Sequence, residues 1–577
     1  MNFSELSNYL DRLESTSSRK DLVSILAELY QQSSPEEIQP LTYLIQGRLV
    51  PFFEPVEIGL GEKLVIASIS QAFGIPGAEI AKSFGQVGDL GVVAAGLASR
   101  TSGEPLAVTE VHARLLKIAG AAGAGSVEKK RTLFAALLKE ADPSSAKHLV
   151  RIALGRLRLG IGDPTVLDGL SFAKKGDRSL RPVLEAAYNR VSDLGLIART
   201  FWSGGEAAIE ALKVTVGTPI RSQLAERLPN PEAVIKKLGL VAVQPKYDGL
   251  RVQIHKNGSV VRVFSRNLED YTLMFSELTG GTQQLQDDTL ILDGEAIAYS
   301  KELEEYMPFQ LTASRRRQHG IEQAAVELPL VAFIFDILYR NGRDLTELPY
   351  EERLSLVDSV IADSTILLPA PIIKTDSAEV LTKTLLDYIA QGLEGVVVKR
   401  PDSKYQAGAR NFNWVKLKRH TSGQLNDTVD LVLLGYYFGK GKRAAFGLGA
   451  LLAGVYDAEN DRFATITKLG TGLSDAGWRQ IHERADGLQV AERPARVDSI
   501  LVPDVWLKPE VVVEVMADEI TPSPRHTAGR AGDGEGFALR FPRVVSFRGA
   551  DRRAEDATTV KEIRELYEQQ RERRPPA

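Results

Sequence analysis

The hydrophobic periodicity of the chain changes near residue 240, and this change limits the folds that it can adopt. Over the first 200 residues, Leu, Ile, Val and Ala recur at three- and four-residue spacing between Gly and Pro, which predicts a series of short helices. One helix is predicted to start at Ser34, with Pro35 in its first turn and Glu37 completing a capping box. Beyond residue 240, short apolar runs alternate with turn residues. Because 577 residues leave room for several domains, we predict a multidomain protein whose first domain is all-α.

The apolar runs after residue 240 predict two further domains. An α+β domain built on antiparallel sheet is expected from strands at 241–247, 289–298, 329–338 and 395–399 and helices near 350–361 and 378–389. Asn257-Gly258, between two apolar stretches, predicts a hairpin turn in this domain. A small barrel is expected from short strands near 431–437, 449–456 and 462–469, followed by a charged helix near 560–571. The predicted domains are 1–210, 211–420 and 421–577.

The composition excludes several classes of protein. With no cysteine, the chain has no disulfides, no Cys-ligated zinc and no thiol catalysis, and seven scattered His make a His-based metal site improbable. The N-terminus lacks a secretory pattern, and no apolar run approaches the roughly 18 residues of a membrane span, so a cytoplasmic location and no membrane contact are expected. A net charge of −4 argues against coating nucleic acid by bulk charge but leaves room for local basic surfaces.

Charged side chains lie at the ends of the predicted strands in the second domain. Lys246-Tyr247-Asp248-Gly249-Leu250-Arg251 follows the first strand, and Gly249 permits a sharp turn there. Alone, this segment also fits a solvated hairpin with ordinary surface charges. The further charged points in chain order are Ser265-Arg266-Asn267, Asp293-Gly294-Glu295, Asp336, Glu394 and Lys399 at the two ends of one strand, Arg410, and Trp414-Val415-Lys416-Leu417-Lys418. Charges of both signs beside so many apolar strands predict one common site.

The whole set, in this order, resembles the covalent nucleotidyltransferase superfamily, and most closely the ATP-dependent DNA ligases of the archaeal and eukaryotic replicative type. The resemblance covers almost the whole chain, since residues 148–151, 155–160, 439–443, 539–543 and 558–560 also look like that family's segments. It implies an all-α DNA-binding domain, an α+β adenylation domain and an OB-fold β-barrel domain. The implied reaction has three steps: adenylation of a lysine, transfer of AMP to a 5′-phosphate, and attack by a 3′-hydroxyl that seals the nick.

The resemblance assigns a role to each residue of the predicted site. Lys246 matches the family's nucleophile, and the residues expected to bind ATP or AMP are Gln244, Arg251, Arg266, Glu295, Phe335, Lys399, Arg410, Lys416, Arg540 and Arg543. Glu295 and Glu394 offer the oxygen ligands that Mg²⁺ prefers, with Mn²⁺ as a substitute, although Glu295 is also a candidate for the ribose. A free lysine with a pKa near 10.4 is protonated at pH 7, so nearby Lys399, Lys416 and a metal are expected to lower the pKa of Lys246. Asp248 is expected to orient the loop or the metal.

Some of these side chains have plainer interpretations. Phe335 is a face for stacking adenine or a core residue, and Trp414 has the same two interpretations. Arg540 and Arg543 lie in the barrel, which in the resembling family swings over the site to orient pyrophosphate and then swings away to clasp DNA. The alternative for Arg543 is an ordinary surface residue.

The helical region is expected to bind nicked duplex DNA without sequence preference, through phosphate contacts. The residues assigned to this role are Ser126, Lys129, Lys130, Arg151, Arg156 and Arg158. Ser126 would open a helix after a Gly-rich turn, which is a phosphate-binding arrangement. The alternative is a solvated basic helix face. Phe309 and Phe541 are weaker candidates for a wedge in the minor groove, against an alternative as buried core.

The chain departs from the resembling family at two places. Many relatives carry Glu where this chain has Gln244, which keeps hydrogen-bonding capacity but not charge and leaves ATP preference open. Residues 98–105 lack the paired aromatics of a clamp-binding segment, so a sliding-clamp partner stays open, and a monomer is expected.

Three functions remain as alternatives to a ligase of this type. An RNA ligase or capping guanylyltransferase is opposed by the large helical domain and the segment ending at Arg543. A catalytically silent DNA-binding protein is opposed by the intact charged site, and an NAD-dependent ligase by the absence of a four-Cys zinc finger. A role in DNA replication, repair or recombination, and in cell division, is not resolved further.

Overall fold

The computed structural model describes residues 1–98, 106–157, 159–300, 305–307, 309–316, 320–391, 393–418, 428–438, 448–470, 473, 475–532, 534–549 and 552–572. The chain forms two compact units, Met1–Leu212 and Lys213–Ala577. The predicted boundary at 420/421 and the segment 439–443 lie outside the described residues.

The first unit is helical, as the periodicity predicts. Its helices are α1 (Phe3–Glu14), α2 (Arg19–Gln31), α3 (Ile38–Leu44), α4 (Glu62–Phe73), α5 (Gly77–Val87), α6 (Leu90–Leu97), α7 (Val108–Ala119), α8 (Ser126–Lys139), α9 (Pro143–Ala153), α10 (Asp163–Lys175), α11 (Arg181–Val191) and α12 (Leu194–Glu210). In α1, Phe3, Leu6, Leu10 and Leu13 recur every three or four residues and are all buried. These stripes meet in one core.

The helix predicted to begin at Ser34 starts later, at Ile38. The predicted capping contacts form, because the Ser34 amide donates to Glu37 Oε2 at 2.9 Å. Glu37 also pairs with the N-terminal ammonium of Met1. The residues before Ile38 therefore make a turn rather than a first helical turn, and the prediction was wrong by one turn.

The first part of the second unit is an α+β domain. Its elements are β1 (Leu224–Arg227), α13 (Pro231–Leu238), β2 (Val241–Lys246), β3 (Leu250–Asn257), β4 (Val260–Ser265), α14 (Ser276–Gln283), β5 (Thr289–Ser300), β6 (Glu305–Tyr306), α15 (Phe309–Ser314), α16 (Ile321–Glu327), β7 (Leu330–Arg340), β8 (Arg343–Asp344), α17 (Tyr350–Ile361), β9 (Leu367–Pro369), β10 (Ile373–Thr375), α18 (Ala378–Ala390), β11 (Gly395–Lys399) and β12 (Arg410–Lys418). They build one sheet in the order β1-β12-β11-β2-β10 and a second along β4-β3-β5-β7-β8.

Strand register in these two sheets brings the charged points of the sequence together. In the first sheet, Lys246 pairs with Gly395 and Gln244 with Val397. In the second, Arg251 pairs with Glu295. Gly395 has φ +147°, and a Cβ there would collide with the Leu417 carbonyl. Glycine at this position therefore lets β11 lie close to β12.

The hairpin of β3 and β4 turns at Gly258 and Ser259, since Asn257 pairs with Val260 in the last rung. The predicted turn at Asn257-Gly258 was thus wrong by one residue. Gly258 has φ +57°, which suits glycine at the first position of a two-residue loop.

The rest of the second unit is a small β-domain with curled sheet and a C-terminal helix. Its elements are β13 (Val429–Tyr437), β14 (Ala450–Asp457), β15 (Arg462–Leu469), α19 (Asp475–Asp486), β16 (Gln489–Val490), β17 (Val497–Asp498), β18 (Val505–Leu507), β19 (Val512–Met516), β20 (Glu519–Ser523), β21 (Gly536–Arg540), β22 (Arg543–Phe547), a 3₁₀ helix (Ala554–Asp556) and α20 (Val560–Glu572). Strand β13 is central, with β14, β18 and β19 as partners.

Among the described residues, no single helix combines the length and apolar character of a membrane span. The helices α4 and α5 meet the test only when taken together, across a bend of 119°.

Candidate active site

A pocket of about 210 Å³ in the second unit collects the charged residues that the sequence singled out. The predicted residues that line it are Gln244, Lys246, Asp248, Arg251, Arg266, Glu295, Phe335, Glu394, Lys399, Arg410, Trp414 and Lys416. They come from both sheets of the α+β domain, on β2, β3, β5, β7, β11 and β12 and the turns that follow β2 and β4. Strand ends that are far apart in sequence therefore form one site.

Lys246, at the end of β2, lies among carboxylates. Glu394 forms an ion pair with it, and Glu295 and Asp248 also act on its charge. Burial would lower the pKa of Lys246, but these carboxylates raise it above its ordinary value. The prediction that Lys399 and Lys416 would lower this pKa was therefore wrong for the protein without nucleotide, because the neighbours nearest to the amine are acids.

The pKa values of the three carboxylates are shifted in different directions. Burial raises the pKa of Glu295 to about 7 and also raises that of Asp248. Burial would likewise raise the pKa of Glu394, but Lys246 and Lys418 lower it to about 2. Three acids close together form an oxygen-rich cluster beside Lys246 and Lys418, which is the donor set that a hard divalent cation prefers.

The opposite end of the pocket is aromatic. Lys399 Nζ lies 4.4 Å from the centre of the Phe335 ring, 4.6 Å from that of Tyr350 and 4.1 Å from that of Trp414. Burial lowers the pKa of Lys399 to about 7. Trp414 is buried, whereas Phe335 is half-buried and lines the cavity. The structure thus offers Phe335 as a stacking face and places the Trp414 ring edge to face with it, at a centroid distance of 5.9 Å.

Arg251 is held by buried partners. Its guanidinium donates to both oxygens of Asp293, at 3.0 and 2.6 Å, and to the Gln223 carbonyl at 2.7 Å. The two carboxylates of the strand β5 therefore have different partners. Asp293 holds Arg251 in place, and Glu295 lies near Lys246. Burial and the charge of Arg552 lower the pKa of Arg266 to about 9.

A C-terminal segment, residues 552–572, also lines the pocket, through Arg552, Asp556, Thr558 and Glu562, which the sequence patterns did not predict. Glu562, on α20, forms an ion pair with Arg410, and Arg227 Nε lies 4.0 Å away. Burial would raise the pKa of Glu562, but Arg410, Arg227 and Lys416 lower it to about 2. The capping box of Thr559 and Glu562 marks a helix start in the sequence, but it does not reveal that the carboxylate is also bound by another domain.

Arg540 and Arg543 do not reach this pocket. They line a second cavity in the β-domain, and Arg543 pairs there with Asp518. Phe541, between them, has φ +51° and a side chain that is 69% exposed, so it is not a core residue. Phe309 begins α15. In this structure, residues of the C-terminal segment, and not these two arginines, line the pocket of Lys246.

The residues assigned to DNA lie in the first unit, on or after α8 and α9. Ser126 starts α8 behind Gly125, which has φ +76°, and no side chain caps the helix. Lys129 is exposed, whereas Lys130 donates to the Ile58 carbonyl at 2.9 Å. Arg156 is exposed and pairs with Glu62 at 2.7 Å. Arg158 lies outside the described residues.

Among the described residues of this group, Arg151 is buried and therefore does not lie on a DNA-facing surface. It is 5% exposed and pairs with Glu14 at 2.7 Å and Asp89 at 2.8 Å. Its charge is thus used inside the unit, to tie α9 to α1 and to the start of α6. The prediction of a DNA contact was wrong because a basic residue on an amphipathic helix looks the same in sequence whether it faces solvent or buried acids.

Comparisons with known proteins give the family. Three family models match: "DNA ligase N terminus" over residues 2–171, "ATP dependent DNA ligase domain" over 222–418 and "ATP dependent DNA ligase C terminal region" over 444–551. A "Probable DNA ligase" of Dictyoglomus thermophilum is 48% identical over 573 residues, which covers 99% of this chain and 98% of the relative. The chain belongs to the ATP-dependent DNA ligase family.

A second relative shows the same full-length similarity. The "DNA ligase" of Sulfolobus acidocaldarius is 39% identical over 587 residues and matches 98% of both chains. Among solved structures, a mycobacterial DNA ligase D complexed with ATP and MES is 24% identical, covering 59% of this chain and 97% of that chain at a TM-score of 0.35. The sequence relatives and the three family models define the family of this chain. The ligase pocket lies mainly within the matched segment 222–418, and its C-terminal wall is formed by Arg548 inside the segment 444–551 and by residues beyond 551.

Proposed function

We propose that Lys246 is the residue that carries AMP in this ATP-dependent ligase. The observation that supports this best is the pocket, where a lysine at the end of β2 lies among carboxylates in a cavity that is also lined by aromatic side chains and by arginines and lysines. Lys246 Nζ attacks the α-phosphorus of ATP, and pyrophosphate leaves. AMP then passes to the 5′-phosphate of a nick, and the 3′-hydroxyl attacks that phosphorus and releases AMP.

The surrounding residues have distinct tasks in this proposal. Phe335 stacks on the adenine, and Gln244 and Lys399 face its edge. Arg266, Arg410 and Lys416 offer donors to phosphate oxygens, and Arg251 acts from the fork that Asp293 holds. Arg540 and Arg543 come to the pyrophosphate when the β-domain, which we propose to be an OB-fold, changes its position.

The acid cluster fits a divalent cation such as Mg²⁺, with Mn²⁺ as a substitute. Glu295 and Glu394 would hold it, and Asp248 would support the loop beside them. A bound cation would neutralise charge on the phosphate oxygens and on the carboxylates that keep Lys246 protonated.

The C-terminal segment acts as a cover that competes with the nucleotide. Glu562 forms an ion pair with Arg410, and the charge of Lys416 also stabilises its carboxylate, so it interacts with two of the cations proposed for phosphate. Glu562→Gln is expected to tighten ATP binding about tenfold, the scale of one lost charge-assisted hydrogen bond. The measurement is the rate of Lys246 labelling against ATP concentration, with Glu568→Gln, an exposed change on the same helix, as the control. If the ATP concentration for half-maximal labelling is the same in Glu562→Gln as in the wild type, or higher, the competition is refuted.

The helical domain binds the duplex around the nick through Ser126, Lys129 and Arg156. Lys129→Ala is expected to weaken binding to nicked DNA several-fold and to reduce the slope of log K against log salt by about 1. Lys20→Ala, an exposed change on α2, is the control and should leave the slope unchanged. Fluorescence anisotropy with a nicked duplex at several salt concentrations gives both values. An unchanged slope for Lys129→Ala would remove α8 from the interface.

The proposed function is tested with a duplex that carries one 5′-phosphorylated nick, ATP and Mg²⁺. We expect a sealed strand on a denaturing gel and no sealing when the 5′-phosphate is absent. We also propose that the protein acts as a monomer in the cytoplasm. Whether a sliding clamp assists is not resolved, because most of residues 98–105 lie outside the described residues. A protein that labels with GTP and not with ATP would favour an RNA-capping enzyme instead.

A further inference from the structure

Gln244 and Lys246 lie two residues apart on β2, so their side chains leave the same face of the strand roughly 7 Å from each other. Both line the pocket. When the α-phosphorus of a nucleotide is at Lys246, this spacing places its base beside Gln244. The side chain of Gln244 is therefore positioned to contact one edge of the purine.

The hydrogen bonds around Gln244 fix which end of its amide is available. The Tyr350 hydroxyl lies 2.9 Å from Gln244 Oε1 and 3.1 Å from the Phe335 carbonyl. Lys399 Nζ lies 3.3 Å from that carbonyl and 3.3 Å from the hydroxyl oxygen. Since Lys399 donates to the carbonyl, the single proton of the hydroxyl goes to the nearer acceptor, Gln244 Oε1.

This arrangement leaves an unused donor at the purine subsite. Gln244 is 2% exposed, and its Nε2 has no hydrogen-bond partner within the part of the chain that the structure describes. A buried donor without a partner costs free energy, and a ligand acceptor at this point would recover it. The neighbouring Lys399 is also a donor. This edge of the subsite therefore presents N–H groups, whereas a carboxylate at position 244 would only accept.

We propose that Gln244 makes the purine subsite tolerant of a 6-oxo group, so that Lys246 is charged from inosine triphosphate as well as from ATP. Adenine offers ring nitrogens to the amide donor, and hypoxanthine offers O6. A carboxylate in the place of Gln244 would accept from the 6-amino group of adenine and repel O6. The inference rests on the proposed role of Lys246 as acceptor. With either nucleotide, the lysine nitrogen bonds to the α-phosphorus, the bond to the bridging oxygen breaks, pyrophosphate leaves and the amine loses one proton.

Inosine triphosphate is a sharper probe than GTP. It differs from ATP at the 6-position and at the adjacent ring nitrogen, and it lacks the 2-amino group that would add bulk in a cavity of about 210 Å³. Any difference between the labelling rates with the two nucleotides therefore depends on the purine edge that Gln244 faces.

The experiment measures the rate at which full-length protein becomes labelled by α-labelled ATP or α-labelled inosine triphosphate with Mg²⁺. For the wild type we expect the two rates to lie within about a hundredfold, because no carboxylate opposes O6. Gln244→Glu should lower the inosine-to-adenosine ratio at least tenfold. Gln283→Glu, the same change at an exposed position of α14, should leave that ratio as in the wild type.

The possible outcomes distinguish a failure of the inference about Gln244 from a failure of the proposed role of Lys246. A wild-type rate with inosine triphosphate more than about a hundredfold below that with ATP overturns the inference and leaves Lys246 as the nucleophile. This comparison holds even if Gln244→Glu does not fold. An unchanged ratio in a folded Gln244→Glu protein also overturns it. No label from ATP would overturn the proposed role of Lys246, and the inference with it.

Discussion

Replacing Lys246 by Arg is expected to lower nick sealing with ATP by roughly 10⁴-fold or more, the scale on which loss of a covalent nucleophile acts. Arginine keeps the positive charge beside Glu394, but its guanidinium stays protonated in proteins and cannot attack phosphorus. Lys246→Ala should lose as much activity. The two variants together separate the need for a charge from the need for an amine that can lose its proton.

The same variants should still catalyse the last step of the reaction, the sealing of a nick that already carries AMP. A nick whose 5′-phosphate already carries AMP bypasses the lysine, because the last step needs only the 3′-hydroxyl and the leaving AMP. We expect Lys246→Arg to seal such a nick far faster than an ordinary one. Lys404→Ala, a change at an exposed lysine that pairs with Glu347, is the control and should seal both. Normal sealing of an ordinary nick by Lys246→Arg would refute the covalent role.

Breaking the buried ion pair of Arg353 and Asp336 is expected to cost about 3–5 kcal/mol of the free energy of unfolding. The guanidinium donates to both carboxylate oxygens, at 2.8 and 2.9 Å, and neither side chain is exposed. Arg353→Leu leaves Asp336 charged without its partner. Since Asp336 is on β7 and Arg353 on α17, the variant should also loosen Phe335 and Tyr350, the neighbours that define the purine end of the pocket.

Urea unfolding of the full chain, followed by circular dichroism and tryptophan fluorescence, measures this loss. Arg400→Ala is the matched control, because Arg400 pairs with Asp402 on the surface, with the two side chains 43% and 68% exposed. An exposed pair of this kind contributes about 1 kcal/mol or less. A loss for Arg353→Leu no larger than that of the control would show that the buried pair is not needed for the fold.

The sequence located the pocket because its residues belong to short local patterns. Lys246 and Lys416 stand at or near the ends of apolar strands, and Glu394 directly precedes one. Glu295 lies inside a strand, and such strands can be recognised from period and turn residues alone. Pairing of β2 with β11 and of β3 with β5 then brings them together. The helical first unit was predictable for the same reason, since each helix carries its own apolar stripe.

What the sequence could not show depends on contacts between distant segments. The pKa of Lys246 was misjudged because the order of residues does not say whether acids or bases lie nearest in space. Arg151 was assigned to DNA because burial against Glu14 and Asp89 leaves no local mark. Glu562 was overlooked because its helix start is ordinary, while its partners lie more than 150 residues earlier in the chain.

The most direct test of the account is to find the residue that carries AMP. The full-length protein, stripped with pyrophosphate, is incubated with ATP and Mg²⁺, denatured and digested, and the AMP adduct is mapped by mass spectrometry. The account predicts one modified peptide, with the adduct on Lys246. An adduct on another residue, or none on protein shown to be free of bound AMP, would contradict it.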